Sequence, residues 1–442
     1  MYKFSTQLGI KNKYNCSSKI SIGGNKGKII IIDGVNRLYR LIIGSMMTSK
    51  NILNLHIEKI FCDCVGMIKY GMVPIYVFDG SSPPSKYDVV AKRISDMKKS
   101  EEKCECIDDK TSLEYKKESK KSYSLFAKTN QHEKTKIEEC KHVLELMGIC
   151  FVNAKNEADP QCAAIAEYYK NTSVGVLSED FDMLLYNAPA LLKNFSFKGS
   201  EAIKIEKEII FDNLLKEANN IRSEHQLAKL KKITRENFVD FFVLFGTDYS
   251  FDGKQCKITK VSPNQLFEIF VMVEFDKVEF IKCLKKMEIA IDSDFLEIWK
   301  KTSAIYLNPI LIDPRTIKYV PTGINEPELL KFLESKQMDM KFVTEELAKI
   351  KQNYGVLKNI HDDEVNISQF KVYTGYQFNF HTRRWIEHQK GMQIFSKKYK
   401  KEIKNSNSHL KNKIVSAHKA MTIETNDDML NSFFTARQNQ NC

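Results

Sequence analysis

Apolar residues fall along this chain in short unbroken runs rather than in alternation. Residues 28–33 read KIIIID and residues 73–78 read VPIYVF. Such runs, rich in β-branched side chains, predict strands buried on both faces. ICFVNA (149–154) and VGVL (174–177) predict two more. Helical patterns lie between them, over Asn36–Met47, 52–70 and 137–148. The last is amphipathic and runs into Gly148, placed as a C-cap. Ser81–Pro84 must be loop, because its paired prolines stop both helix and strand.

Residues 86–136 carry many Lys and Glu and few large apolar side chains. They predict a long charged segment, helical in part and poorly packed. Asn156–Pro160 opens a helix of small residues, with Asp159 as N-cap and Pro160 as first helical residue. Helices dominate from 205 to about 350, and residues 388–426 are polar, basic and expected to be flexible. Strand and helix signals alternate through the first half. That predicts an α/β fold: a mostly parallel central sheet with helices on both faces.

Acidic residues gather just after the apolar runs: Asp33, Asp79, Glu157 with Asp159, and Asp180 with Asp182; Asp248 follows later. One Asp after a strand is usually a helix cap or a turn former. Four strand–loop junctions that each deliver an acid are a different signal, because open parallel sheets place their sites at such ends. Two junctions deliver a pair at i, i+2, a spacing that lets both carboxylates approach one ion. Like charges this crowded need cations to offset their repulsion. Hard divalent cations take oxygen ligands, and a pair of them can clamp and hydrolyse a phosphodiester. A metal-dependent nuclease is the expectation, with two Mg2+ ions per subunit and Mn2+ as a substitute.

Charge supports a polyanionic partner. The formal net charge is +12, and residues 381–420 hold eleven Lys/Arg against two acids. The bland alternative is a solvated tail. Eleven scattered cysteines lack zinc-like spacing and read as reduced intracellular thiols. No stretch of 18 or more apolar residues occurs, and the first residues do not read as a signal peptide. The expectation is an intracellular monomer without membrane contact, in the nucleus or at another site of DNA replication.

Four segments, in order, carry a family resemblance: YVFDGSSPPSK…AKR (76–93), CKHVLELMGICFVNAKNEADPQCAA (140–164), VLSEDFDMLLYNAPALLKNF (176–195) and FVDFFVLFGTDYS (238–250). They resemble the flap endonuclease branch of the XPG-type structure-specific nucleases, from about Lys28 to about Lys351. The resemblance implies a PIN-like nuclease core, a helical arch and two Mg2+ ions that hydrolyse a phosphodiester near the base of a 5′ flap. It assigns Asp33, Asp79, Glu157 and Asp159 to one metal group and Asp180, Asp182 and Asp248 to the second. Lys86 and Arg93 match a cationic pair at the base of the arch, which would stabilise charge on the scissile phosphate. Tyr39 matches an aromatic that stacks a base, with a plain core position as the alternative.

The implied organisation is a nuclease region at 28–93, an arch at 94–135, a second nuclease region at 136–252, a helical duplex-binding region at 253–351 and a basic extension at 352–442. Flap or branched DNA would be the substrate.

Three departures stand out. Gly9-Ile10-Lys11 is a displaced counterpart of the family's Met-Gly-Ile start. Lys260-Val261-Ser262-Pro263 replaces a Gly-Ile-Gly hairpin that grips duplex phosphates through backbone N–H groups. Without glycine that approach is hindered, and Lys257 and Lys260 would compensate through charge. Asp159 stands where Glu is common. In the tail, Asp427-x-x-Leu430-x-x-Phe433-Phe434 resembles a sliding-clamp-binding motif, one turn presenting Leu430, Phe433 and Phe434 to an apolar pocket.

Other readings fit less. A family relative preferring nicked, gapped or bubble DNA suits the altered hairpin. A non-catalytic junction binder gains nothing from crowded carboxylates beside DNA. A sugar-nucleotide transferase would use Asp180 and Asp182 but leave Asp33, Asp79 and Asp248 idle.

Overall fold

The computed structural model describes residues 16–46, 54–81, 83–107, 114, 118, 134–359, 376–379 and 384–387. Seven strands form one sheet: β1 (Ser17–Ser21), β2 (Ile29–Asp33), β3 (Val73–Phe78), β4 (Phe151–Asn153), β5 (Ser173–Leu177), β6 (Ala190–Ser196) and β7 (Glu201–Glu206). Their order is β1-β7-β6-β5-β2-β3-β4. Strands β4, β3, β2, β5 and β6 run parallel, while β7 is antiparallel to both β6 and β1. The expected mostly parallel sheet is therefore present, closed on one side by an antiparallel edge.

Every residue of β2 and β3 is buried, as their continuous apolar runs require. Chain order steps outward from β2 through β3 to β4, then returns to the other side of β2 as β5. The connections diverge at β2, which opens a crevice beyond the strand ends. In β2 the last residue is Asp33, opposite Val77 of β3.

Helices cover the sheet. Gly34–Met46 leaves β2 directly, two residues before the expected start at Asn36. Leu55–Lys69 is buried along nearly its whole length. The Lys134–Leu146 helix ends as its sequence predicts. Gly148 takes φ +61°, its N–H donates to the Glu145 carbonyl, and the Ile149 N–H donates to the Leu144 carbonyl. That left-handed cap closes the helix and aims the chain into β4.

The prolines give a 3-10 turn, Pro84–Lys86, followed by a regular helix over Tyr87–Glu105. Of the expected arch at 94–135, residues 94–107, 114, 118, 134 and 135 are described. One expectation fails. The helix after β4 runs Ala158–Tyr168 with Glu157 at the N-cap, so Asp159 lies inside its first turn. Asp79 takes the capping role from β3 instead: its Oδ1 accepts from the Ala158 N–H at 2.8 Å. Asp159 is thereby freed to project toward the crevice rather than satisfy its own backbone.

Beyond β7 the chain is helical: Lys207–Glu224, Arg235–Val243, Pro263–Met272, Lys277–Lys286, Phe295–Leu307, Glu326–Ser335 and Met340–Lys358. The described residues between 16 and 359 form one compact unit. In the second unit the described residues are two antiparallel strands, β8 (Tyr376–Asn379) and β9 (Arg384–Glu387). Among the described residues no helix is long and apolar enough to cross a membrane, and the ten described cysteines are free thiols.

Candidate active site

Strand ends supply most of the acids. Asp33 closes β2, Asp79 follows β3, Glu157 precedes the helix after β4, and Asp180 and Asp182 follow β5. Asp248 arrives on the loop after the Arg235–Val243 helix. Gly80 permits the close approach of the β3 and β4 exits: a Cβ there would lie 2.2 Å from the Ala154 carbonyl oxygen. The Gly80 N–H instead donates to the Asn156 carbonyl at 2.6 Å.

Hydrogen bonds from neighbours aim Asp33, Asp180, Asp182 and Glu157. Asp33 accepts from the Asn36 N–H at 3.2 Å and from the Ser178 hydroxyl at 3.0 Å. Ser178 also accepts from the Asp180 N–H, and Asp180 accepts from the Asp182 N–H, both at 3.1 Å. Asp182 accepts from the Tyr306 hydroxyl at 2.6 Å. Glu157 accepts from the Tyr249 hydroxyl at 2.5 Å.

Electrostatics bind all seven into one group. Burial pushes the Asp33 carboxyl up to about 7, with repulsion from Asp79 and Asp180 adding to it. Asp159 is raised well above the usual range by burial, then by Asp33 and Asp180. Asp182 is raised likewise by burial, Asp180 and Asp248. Asp79 is raised by burial and Glu157, against the Ala158 N–H, which favours its charge. These shifts are the cost of gathering anions in a half-dry crevice.

Lys86 brings positive charge into the group. Its ammonium pairs with Glu157 and lies 4.7 Å from the Tyr249 ring centroid. Burial opposes its charge, but Glu157, Asp159 and Asp248 outweigh burial and raise its pKa. The loop bearing Asp248 is tied to the same spot, since the Ser250 N–H donates to the Ser85 carbonyl at 2.8 Å.

The donor set suits a hard divalent ion: the seven are all carboxylates, with no thiolate or imidazole among them. As the side chains stand, no three described His, Cys, Asp or Glu residues close on one point as a finished cage. Cations between these carboxylates would relieve their mutual repulsion.

Other expected site residues fall in different places. Arg93 lies on the Tyr87–Glu105 helix. Tyr39 is 6% exposed, so a base could stack on it only after its cover opened. Lys257 and Lys260 are exposed on the loop before the Pro263–Met272 helix. The glycine hairpin is replaced there by a capped turn. Ser262 accepts from the Gln265 N–H at 3.3 Å, Gln265 accepts from the Ser262 N–H at 3.4 Å, and Pro263 opens the helix. Leu430, Phe433, Phe434, the 388–426 run and Gly9-Ile10-Lys11 lie outside the described residues. Sequence reasoning missed Ser178, Tyr249 and Tyr306. Ser178 and Tyr249 are chain neighbours of the acids, but Tyr306 sits in a helix far along the chain and gives no local signal.

Comparisons with known proteins agree with this geometry. Residues 11–101 match the XPG N-terminal domain and residues 148–248 the XPG I-region. Flap endonuclease 1 of Saccharolobus solfataricus is 28% identical over 316 residues, spanning 70% of this chain and 83% of that protein. The Pyrococcus furiosus protein of the same name is 31% identical over 242 residues, spanning 51% and 65%. The Homo sapiens one is 25% identical over 317 residues, spanning 70% and 74%.

Two solved structures share the fold. The catalytic core of Rad2 in complex with DNA substrate superposes with a TM-score of 0.52 at 18% identity, over 79% of this chain and 99% of that one. Flap endonuclease-1 from Methanococcus jannaschii gives 0.51 at 20%, over 77% and 96%. The two matched domains contain all seven acids together with Lys86 and Arg93, and with the flap endonuclease 1 relatives they support an XPG-type flap endonuclease.

Proposed function

We propose that this protein is a metal-dependent, structure-specific DNA endonuclease that incises at the base of 5′ flaps, with accompanying 5′–3′ exonuclease activity. The observation that carries the reading is the convergence of seven acids and Lys86 on one crevice at the sheet's strand ends. Asp33, Asp79, Glu157 and Asp159 would hold one Mg2+ ion, and Asp180, Asp182 and Asp248 a second. Bound there, such ions supply a nucleophilic hydroxide and Lewis-acid stabilisation of the phosphodiester.

The chain's own residues do the remainder. Asp79 holds the helix bearing Glu157 and Asp159 against the sheet by capping it. Lys86 lies where an ammonium can leave Glu157 for a phosphate oxygen and stabilise the charge that builds on it. Arg93, on the adjoining helix, is assigned the same work. Lys257 and Lys260 face solvent and would contact duplex phosphates. The tail motif at Leu430, Phe433 and Phe434 would engage a sliding clamp.

An end-labelled double-flap DNA, incubated with Mg2+ or with EDTA, tests the reading. Incision near the flap base that requires Mg2+ and is lost in Asp180→Ala is expected. Junction binding without cleavage on flap, nick or bubble DNA would overturn it. A second reading, preference for nicked or gapped DNA, has one observation in its favour: the capped turn at Ser262 in place of the glycine hairpin.

A further inference from the structure

Behind the carboxylates stand three buried tyrosines from three separate segments. Tyr186 follows the short Asp182–Leu185 helix, Tyr249 lies next to Asp248, and Tyr306 belongs to the Phe295–Leu307 helix. Tyr249 and Tyr306 are 0% exposed and Tyr186 is 5% exposed. Tyr306 donates to Asp182 at 2.6 Å, and Tyr249 donates to Glu157 at 2.5 Å. The Tyr186 and Tyr249 hydroxyls are hydrogen-bonded to each other. Because the Tyr249 proton goes to a carboxylate, its oxygen is left to accept from Tyr186.

Rings close the circuit. Tyr306 packs on Tyr186 with centroids 4.7 Å apart and edge-on to Tyr249 at 5.5 Å. Lys86 lies over the other part of the cluster, 4.7 Å from the Tyr249 centroid.

A buried phenol needs an acceptor, and any backbone carbonyl would serve a purely structural role. Here both ends of the cluster terminate on acids instead, and those acids belong to the two different metal groups. A carboxylate beside a cation loses affinity when its orientation is free, and outer hydrogen-bond donors are what fix it. Linked donors also polarise one another in a dry interior.

We propose that Tyr249 and Tyr306, joined through Tyr186, are positioning residues that hold Glu157 and Asp182 in fixed relation for divalent-cation binding. The inference rests on the reading of those acids as metal ligands. It assigns the tyrosines no contact with DNA or with the reacting atoms.

The test is Mn2+ titration of the full chain without DNA, with free Mn2+ followed by electron paramagnetic resonance. Tyr249→Phe and Tyr306→Phe should each weaken apparent Mn2+ affinity by about 10-fold or more. Tyr186→Phe, which touches neither carboxylate, should weaken it less. Flap-DNA affinity measured in EDTA should stay unchanged in all three, because a role confined to orienting carboxylates does not touch DNA. Unchanged Mn2+ affinity in Y249F and Y306F, even with a lowered Tm, would overturn the proposal and leave the tyrosines as core packing. If one of the two variants does not fold, the other decides. A wild-type chain that binds no Mn2+ would overturn the metal reading and this proposal together, a result distinct from wild-type binding that the variants share.

Discussion

Asp33 shows most clearly what the site costs. Its carboxyl, pushed up to about 7, lies above the ordinary value of 3.8. Between those values the folded protein keeps a proton that the unfolded chain has released. Stability therefore falls as pH rises through that window, and the full penalty is present above pH 7. Asp33→Asn removes the charge while leaving nearly the same shape. In EDTA this variant should have a higher Tm than wild type at pH 8, and the gap should close as pH falls toward about 4. Added Mn2+ should reverse the order at pH 8, since only the wild type retains the ligand. Thermal scans at three pH values check both halves; a gap independent of pH would contradict the assigned cause. Lys86 makes a complementary prediction. Lys86→Ala should lower the single-turnover cleavage rate by roughly 100-fold, the usual scale for losing one donor to a developing oxyanion. Binding of uncut flap DNA should change little.

At the scale of elements, the Met340–Lys358 helix is clamped onto the Leu55–Lys69 helix by a buried ion pair. Lys69 and Glu346 are in contact, both almost fully buried, and Asn353 adds a hydrogen bond to the Lys69 carbonyl at 3.0 Å. Burial holds the Lys69 ammonium down to about 8 in spite of Glu346. Removing one partner strands the other charge, so Glu346→Gln should cost about 3–5 kcal/mol in urea unfolding. A Lys69→Met, Glu346→Met double variant should recover most of that loss. The elements themselves were unevenly legible in the sequence. Strands β2, β3 and β5 announced themselves because strands covered on both faces carry continuous apolar runs, while the edge strand β4 was legible only from its short apolar segment. Strand β1, SSKIS, did not: it is short and polar and sits at the sheet edge, where only one neighbour needs satisfying. The acids were legible because their strand-end positions repeat. Asp159 was misread as an N-cap because a cap can come from elsewhere in space, here Asp79, and sequence spacing does not reveal that. Tyr306 was invisible for the same reason: its partner Asp182 lies 124 positions away.

At the scale of the molecule, the question is how a chain without the glycine hairpin holds duplex DNA. A glycine hairpin grips phosphates through backbone N–H groups, which carry no net charge and release few counterions. A grip through lysines displaces one condensed counterion for each phosphate neutralised. Lys257 and Lys260 lie just before the capped turn at Ser262 and are both exposed. If charge has replaced backbone approach, these lysines should appear in the salt dependence of binding and not merely in the affinity. Plotting log K against log salt concentration for flap DNA, Lys257→Ala with Lys260→Ala should flatten the slope by about 1.8, two contacts at roughly 0.9 each. Deleting residues 388–442 should flatten it separately, because those residues carry a net +6, half of the chain's net charge of +12. Cleavage at low salt should survive both changes, since neither touches the acids. A double-lysine variant whose affinity falls while its slope stays at the wild-type value would mean that the loop contacts DNA by shape rather than charge. In that case the capped turn itself, and not its lysines, would be the substitute for the missing glycines.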